Sequence, residues 1–241
     1  MKKAEQLTDD ELCWLWAYNE QLSMLDRYDA RWIELSRSEW SDKEIAKFLK
    51  TYGLIRGKTG KIVFSETNKH NRIDFYKVCR DIFRPMLEKN VTLEDTDKIW
   101  KSATRAISGK FGNGINLFSA VSKLQWFHFP ESWIMFDSQN RSALATWLTE
   151  REHSRFKSHL TVETFSADFQ KFYEYEGKKG AAFASTFFAR RYPYSLRVAE
   201  KYLWLRGCKE TERHLIVSSY RASLRIAPLP ACWTLSEAPP H

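Results

Sequence analysis

Repeated helix-start signals, each followed by apolar residues at helical spacing, constrain the fold more than any other feature of the sequence. Residues 8–11 and 41–44 both read Ser/Thr-x-x-Glu, a pattern in which the first and fourth side chains cap each other's backbone N–H groups. Apolar side chains recur at steps of three or four along 72–88, as on one face of a helix. The chain of 241 residues has only 9 Gly and 7 Pro, so few positions interrupt such helices.

These signals predict an all-α fold. Residues 54–71 and the extended segment 133–136 break the helical pattern, and residues 61–64 allow at most one small strand or hairpin. Pro85 is expected to kink or end its helix. The helices are expected over 12–25, 45–49, 72–88, 92–107, 115–127, 138–148, 162–175, 179–191, 196–205 and 209–226.

The sequence shows no internal repeat and no Gly- or Pro-rich linker that would divide it. We therefore expect one helical domain over residues 1–226, and an arrangement in two lobes stays open. Four prolines among residues 227–241 indicate a C-terminal tail or surface wrap. Gly180-Ala181-Ala182 indicates a point where two helices pack closely.

The charge balance favours an anionic partner. Lys and Arg outnumber Asp and Glu by 38 to 30, and the net charge of +8 does not decide between DNA, RNA and a membrane surface. No apolar run is long enough to span a bilayer, and Met1-Lys2-Lys3 leads into a polar helix start rather than a signal peptide. We therefore expect a cytoplasmic protein that does not enter a membrane.

The cysteines and histidines do not have the pattern of a metal site. The 4 Cys and 6 His lack the close spacing of zinc or iron–sulfur ligands. Cys13, Cys79 and Cys208 are expected as small core residues of a protein in a reducing compartment. We expect no metal and no organic cofactor.

The glycine-rich connector 108–114 is the most informative stretch for function. Gly112-Asn113-Gly114 lets backbone N–H groups point outward at a helix N-terminus, a geometry that accepts a DNA phosphate, and Lys110 adds a positive charge beside it. The alternative is a tight turn between two helices that simply requires glycine.

In the order hairpin, lysine, aspartate, three elements of this sequence resemble the helix-hairpin-helix DNA glycosylase superfamily: Gly112-Asn113-Gly114, Lys123 and Phe136-Asp137-Ser138. Members have a Gly-x-Gly hairpin, a following helix that in many carries a catalytic lysine, and an aspartate before the next helix. Residues 118–123 are also similar to the lysine helix of the archaeal 8-oxoguanine glycosylase branch. The resemblance covers 108–141 and implies a helix-hairpin-helix element at about 92–127 and excision of a damaged or modified base from DNA.

The sequence departs from the family pattern at three positions. Lys110-Phe111 stands where a proline is usual, and Gln139 stands where a histidine is common. Asn116 occupies the common lysine position. Lys123 lies seven residues later, which is nearly two helical turns, so the two side chains share a helix face.

The resemblance gives each candidate residue a role. Asp137 would stabilise the positive charge that develops on the sugar, or orient a water molecule. Lys123 would form a Schiff base, which requires a desolvated, partly neutral amine. Flat side chains near the site would hold the extruded base, and the candidates are Trp126, His128 and Trp133.

A second basic region at 178–206 interleaves cationic and aromatic side chains, a composition that suits phosphate contact and base stacking. Arg190 and Arg191 are its candidate DNA contacts. Arg197, Lys201 and Arg206 belong to the same region. The alternative is an amphipathic helix pair with a solvated basic face.

The other candidates also have structural interpretations. Lys123 falls on a polar helical arc, which is typical of a solvated surface lysine. Asp137 directly precedes a helix and suits an N-cap, and the tryptophans suit a core or an interface. For the whole chain, two further interpretations stay open: a non-catalytic nucleic-acid-binding helical module, and an α-helical protein-interaction component of a bacterial multi-protein system.

Overall fold

The computed structural model describes residues 6–55, 63–64, 68–112, 117–152 and 164–226, and every regular element among them is helical. The predicted all-α class is confirmed. The C-terminal tail at 227–241 lies outside the described residues. The α-helices are α1 Asp9–Met24, α2 Ala30–Leu35, α3 Asp42–Thr51, α4 Lys69–Phe83, α5 Leu93–Phe111, α6 Phe118–His128, α7 Ser138–Glu152, α8 Phe165–Phe172, α9 Lys178–Ser185, α10 Ser195–Gly207 and α11 Glu210–Ile226.

Both predicted capping boxes are present. At the start of α1, Thr8 N donates to Glu11 Oε2 at 2.9 Å and Glu11 N donates to Thr8 Oγ1 at 3.1 Å. The box at the start of α3 has the same two reciprocal bonds. A third box opens α5, where Asp95 takes the place of glutamate opposite Thr92. Each box pairs backbone N–H groups that the first turn of a helix leaves without intrahelical acceptors.

Two predicted helix ends are also confirmed. Gly53 has φ 68° just beyond α3, and its N–H and that of Leu54 bond back to carbonyls in the last turn. Helix α4 ends at Phe83, and Pro85 lies in the 3₁₀ turn Arg84–Met86 that follows. Proline ends the α-helix because it removes a backbone donor and crowds the preceding turn.

The glycine connector begins later than predicted. Helix α5 continues through residues 108–111, so the predicted end at Ile107 is wrong by one turn. Gly109 is tolerated within this helix, and the chain leaves it at Gly112, whose φ of 103° favours glycine. Asn113 and Gly114 lie outside the described residues. The predicted helix-hairpin-helix arrangement therefore stays a prediction.

Two π-helical segments were not predicted. Residues Leu25–Asp29 join α1 to α2, and Tyr173–Gly177 join α8 to α9. Helix α9 ends at Ser185, so the predicted helix at 179–191 is too long. The segment 133–137, predicted to be extended over 133–136, belongs to no helix, and no described residue belongs to a β-strand. π-segments are rare single turns inside α-helices, and no residue type marks them in a sequence.

Aromatic side chains fill the core. Helix α1 packs against α9, α10 and α11, α7 packs against α10, and α4 packs against α3 and α5. Many of these contacts join aromatic rings, in keeping with the 15% aromatic content. The largest fully buried side chains are Trp32, Trp100, Trp126, Trp133, Phe48, Phe64, Phe75, Phe83, Phe127, Phe165, Phe169 and Phe172. Among the described helices, none combines the length and apolarity that a bilayer crossing requires.

The predicted close approach at Gly180 is confirmed. A Cβ atom at this position would overlap the indole ring of Trp14. On its other side that ring stacks on Tyr202, with 3.8 Å between the ring centres. The ring of Trp14 is therefore held between α9 and α10, and glycine is the residue that lets α9 come this near.

Gly180→Ala is expected to lower the free energy of unfolding by about 1–3 kcal/mol, because the added methyl group must displace the Trp14 ring in a packed core. The measurement is urea unfolding at neutral pH. Gly109→Ala is the matched control, since no atom lies within 4 Å of a Cβ there. That change should raise stability by about 0.5–1 kcal/mol through helix propensity. Equal effects of the two substitutions would contradict this account of the packing.

Candidate active site around Lys123 and Asp137

Asp137 ends the extended segment and begins α7. Its Oδ1 accepts a hydrogen bond from Gln139 N at 2.9 Å, and its carbonyl oxygen accepts from Arg141 N at 3.1 Å. These two bonds make Asp137 an N-cap, as the structural interpretation of the sequence predicts. The side chain is half-buried. The N-cap bond fixes the direction of the carboxylate without excluding a chemical role.

Ser122 ties the segment before Asp137 to helix α6. Its hydroxyl oxygen accepts from Phe136 N at 2.8 Å, and its carbonyl oxygen accepts from Trp133 Nε1 at 3.1 Å. Ser122 directly precedes Lys123 in the chain. The same short stretch of α6 therefore holds the backbone next to Asp137 and carries the candidate nucleophile.

Lys123 is half-buried, and its Nζ donates to Tyr52 O at the C-terminus of α3, at 3.4 Å. Burial lowers the pKa of the amine. The negative charge of Asp137 acts in the opposite direction, and the positive charge of Arg197 lowers the pKa further. The structure therefore brings Lys123 and Asp137 within electrostatic range of each other, and Lys123 is a desolvated lysine rather than a solvated surface one.

The residue that accepts from Lys123, Tyr52, is also bonded through its side chain to a buried carboxyl group, that of Asp29. Tyr52 donates its hydroxyl proton to Asp29 Oδ1 at 2.5 Å. Asp29 belongs to the first π-helical segment and is fully buried, and its Oδ2 has no hydrogen-bond partner among the described residues. Burial raises the pKa of this carboxyl group, while Arg197 and the Tyr52 hydroxyl oppose the shift. π-segments often occur at functional sites, and this one directs a carboxyl group inward.

Helix α10 contributes two cations that the sequence analysis placed in a basic surface region. Arg197 is buried, so it does not belong to a solvated face. Lys201 is half-buried, and its Nζ lies 5.0 Å from the ring centre of Trp16 and 4.2 Å from that of Trp204. Burial, assisted by Arg197, lowers the pKa of Lys201 to about 8, although Glu20 and Asp137 oppose the shift.

Sequence reasoning missed Asp29, Tyr52 and the inward direction of Arg197 and Lys201. One signal was present for α10. Arg197 and Glu200 are opposite charges three residues apart in a helix that lacks a clear polar face. No comparable signal marks Asp29, because its orientation depends on the π-segment.

Three further buried side chains near this cluster have unused hydrogen-bonding groups. Gln21 Nε2, Trp126 Nε1 and Arg197 Nε have no partner among the described residues. Gln21 Oε1 accepts from Tyr192 OH at 3.4 Å, which connects this set to the loop before α10. Buried polar atoms without partners are costly, so this region has the capacity to bind water or a polar ligand.

The three predicted base-pocket residues are core side chains. Trp126 and Trp133 have no exposed surface, and His128 is nearly as buried. Trp133 packs on Trp100, with 5.4 Å between the ring centres, and His128 packs on Phe83 at 5.1 Å. These contacts favour the packing interpretation for Trp133 and His128, whereas Trp126 also lies beside Arg197.

The described candidates for DNA contact lie at the surface. Lys110 is exposed and forms an ion pair with Asp74 at 3.2 Å. Arg190 is exposed and forms an ion pair with Asp26, and Arg191 is exposed as well. Gly112 is exposed, with open space around its Cα. These candidate positions are exposed, whereas Lys123 and Lys201 are half-buried.

A large open cleft adjoins the candidate site but does not contain it. The cleft has a volume of about 860 Å³ and lies between α7, α10, the second π-segment and the start of α11. Its walls carry acidic and basic side chains together, which gives it no single charge preference. Its lining residues are Asp10, Ser142, Ala143, Thr146, Trp147, Glu150, Arg151, Glu176, Tyr202, Leu203, Arg206, Gly207, Cys208 and Arg213.

Neither a metal-ligand group among the described residues nor a match to a known protein indicates a function. Within the described ranges, no group of three or more His, Cys, Asp or Glu side chains is arranged to hold a metal ion. No family model, curated protein sequence or solved structure matches this chain.

His128 makes folding sensitive to acid. Its Nδ1 lies 2.9 Å from Leu124 O, which only accepts, so Nδ1 carries the proton. Nε2, which has no partner in the described part of the chain, is then the basic atom. Burial lowers the pKa of His128 from 6.5 to about 4. Between these values the unfolded chain binds a proton that the folded chain does not, so stability falls as the pH falls, by at most about 1.4 kcal/mol per pH unit.

The test is urea unfolding from pH 4 to pH 7. His128→Phe should flatten the loss of stability between pH 6.5 and pH 4, because the variant has no imidazole to protonate. His214→Ala is the control, since that ring is exposed. An unchanged pH slope in a folded His128→Phe protein would show that other groups cause the acid sensitivity.

Proposed function

We propose that this chain is a DNA glycosylase-like enzyme that excises a damaged or modified base. Lys123 is the Schiff-base nucleophile, and Asp137 is the carboxylate that stabilises the sugar cation. One observation carries the proposal: Ser122 on α6 bonds the backbone next to Asp137, which places the half-buried amine of Lys123 and a carboxylate held at a helix N-terminus on adjoining segments. A nucleophilic lysine needs such an environment because only the neutral amine attacks.

The proposed reaction uses these two side chains in sequence. The Lys123 nitrogen attacks the anomeric carbon while the bond to the base breaks and the base leaves with the electron pair. The proton that the nitrogen loses is taken up by the departing base. Asp137 offsets the positive charge that develops on the sugar. The sugar ring then opens as the bond from the anomeric carbon to the ring oxygen breaks, and the second amine proton passes to that oxygen, which gives the imine.

Side chains with unused hydrogen-bonding groups lie near Lys123. Among the described residues, Gln21 Nε2, Asp29 Oδ2 and Trp126 Nε1 have no partner, close to Tyr52 and Arg197. All three side chains are fully buried, so a base would reach them only if the surrounding core opens. An extruded base has several polar edge groups that would pair with them. The phosphates would be contacted elsewhere, by exposed cations that include Lys110, Arg190 and Arg191.

Borohydride trapping tests the nucleophile. Duplexes that carry 8-oxoguanine and other damaged or modified bases are incubated with the protein and sodium borohydride, which reduces an imine to a stable covalent adduct. We expect an adduct that Lys123→Ala abolishes, because the amine is then absent. Lys98→Ala is the control, since that side chain is 67% exposed and is paired with Glu94.

Lys201→Ala shows which of the two lysines with a lowered pKa, Lys123 or Lys201, forms the adduct. An adduct that survives Lys123→Ala and disappears in Lys201→Ala would move the nucleophile to α10. Salt-sensitive DNA binding with no adduct and no free base released would favour the non-catalytic nucleic-acid-binding module. Absence of any binding would favour the protein-interaction component.

Asp137→Asn distinguishes the helix-capping role of Asp137 from its proposed role in catalysis. The asparagine side-chain oxygen still accepts from Gln139 N, so the free energy of unfolding should change by less than about 0.5 kcal/mol. Loss of the negative charge should lower the single-turnover rate of base release by about 100-fold or more. The rate of base release and thermal unfolding are measured on the same preparation. A rate close to that of the unmodified protein would remove Asp137 from the mechanism.

A further inference from the structure

A chain of buried polar contacts joins α10 to the segment that ends at Asp137. The Asn140 side chain is fully buried, and its Nδ2 donates to Met135 O at 3.1 Å and to Glu200 Oε1 at 2.7 Å. Met135 lies two residues before Asp137. Asn140 therefore holds the extended segment and α10 together at the N-terminus of α7.

Arg197 extends this series of buried polar contacts towards α6. Its guanidinium group forms an ion pair with Glu200, and the two residues are only 7% and 2% exposed. The centre of the guanidinium group lies 5.5 Å from the ring centre of Trp126, three residues beyond Lys123. The contacts thus run from the segment of Asp137, through α10, to the helix of Lys123.

Stability alone does not account for a buried ion pair. Removing two charges from water costs several kcal/mol each, and apolar residues of similar volume often stabilise a protein as well or better. The arginine does supply a permanent positive charge, because its guanidinium group stays protonated. This charge lies inside the fold, where water screens it weakly.

Three groups act on the charge of the Lys123 amine. The carboxylate of Asp137, before α7, and the carbonyl of Tyr52, after α3, both favour the ammonium form. Arg197 on α10 favours the neutral amine, as burial does. The same two charges act on Lys201: the charge of Arg197 lowers its pKa, and that of Asp137 raises it.

We propose that Arg197 is a positioning residue for Lys123: Glu200 and Asn140 hold its guanidinium group inside the fold, where its permanent charge disfavours a second cation and keeps the Lys123 amine nucleophilic. The need for a nucleophilic amine at Lys123 rests on the proposed function. The charge state of the amine is measurable without DNA, so the two ideas can fail separately.

The experiment measures the reaction of Lys123 with acetic anhydride as a function of pH, read by mass spectrometry of peptides, with exposed Lys98 as the internal standard. The double variant Arg197→Met/Glu200→Gln removes both charges and leaves an oxygen that still accepts from Asn140. Its Lys123 should react about three- to tenfold more slowly at pH 7.5, because one pKa unit is a factor of ten in the neutral fraction. Arg197→Lys replaces the permanent charge with a cation that can lose its proton, so its Lys123 should react at a rate between those of the unmodified protein and the double variant.

Glu200→Gln gives a change of opposite sign. It removes the carboxylate that offsets Arg197, so Lys123 should react faster, and this holds even where the double variant does not fold. An unchanged rate in a folded double variant, or the same direction of change in both variants, would overturn the proposal. Shifts as expected with no borohydride adduct on any DNA would leave this inference standing and refute the proposed function.

Discussion

The extended segment at 133–137 is buried, and no described strand lies beside it to accept or donate backbone hydrogen bonds. Buried backbone groups must be bonded, so helices supply the partners. Thr96 Oγ1 donates to Ser132 O at 2.7 Å, Ser122 Oγ accepts from Phe136 N, and Asn140 Nδ2 donates to Met135 O. Helices α5, α6 and α7 are thereby joined through one stretch of chain. The bonds that satisfy this backbone also set the place of Asp137.

This arrangement makes stability and the proposed chemistry depend on the same contacts. Ser122 bonds the segment on one side, and Lys123, the next residue, reaches the end of α3 on the other. Gly207 at the end of α10 packs against the backbone of Gln139, where any Cβ would overlap it. The N-terminus of α7 is therefore fixed from two directions. A shift of either neighbour would move the carboxylate relative to the amine.

Local signals in the sequence predicted local features, and features set by the rest of the fold escaped them. The capping boxes and the helix end near Pro85 follow from bonds or atoms within a few residues, so a pattern reveals them. At Gly180 the sequence indicated close packing but not that the partner is Trp14. Helix α5 continues past Ile107 despite the low helix propensity of Gly109, and Phe111 at its end packs against the core. The burial of Arg197 depends on Glu200 and on a neighbouring helix. For the candidate site, the order of Lys123 and Asp137 along the chain was visible, and their electrostatic contact was not.

The charges in this cluster also bear on where DNA would lie. Arg197 remains charged, so the cost of crowding cations inside the fold falls on the two groups that can lose a proton, Lys123 and Lys201. A phosphate next to either amine would restore the ammonium form, because a nearby negative charge stabilises it. Under the proposed function, a bound DNA strand would therefore present its sugar to Lys123 and its phosphates to cations elsewhere. Arg190 and Arg191 are exposed, and phosphate contacts with them would leave the Lys123 amine neutral while the backbone is held.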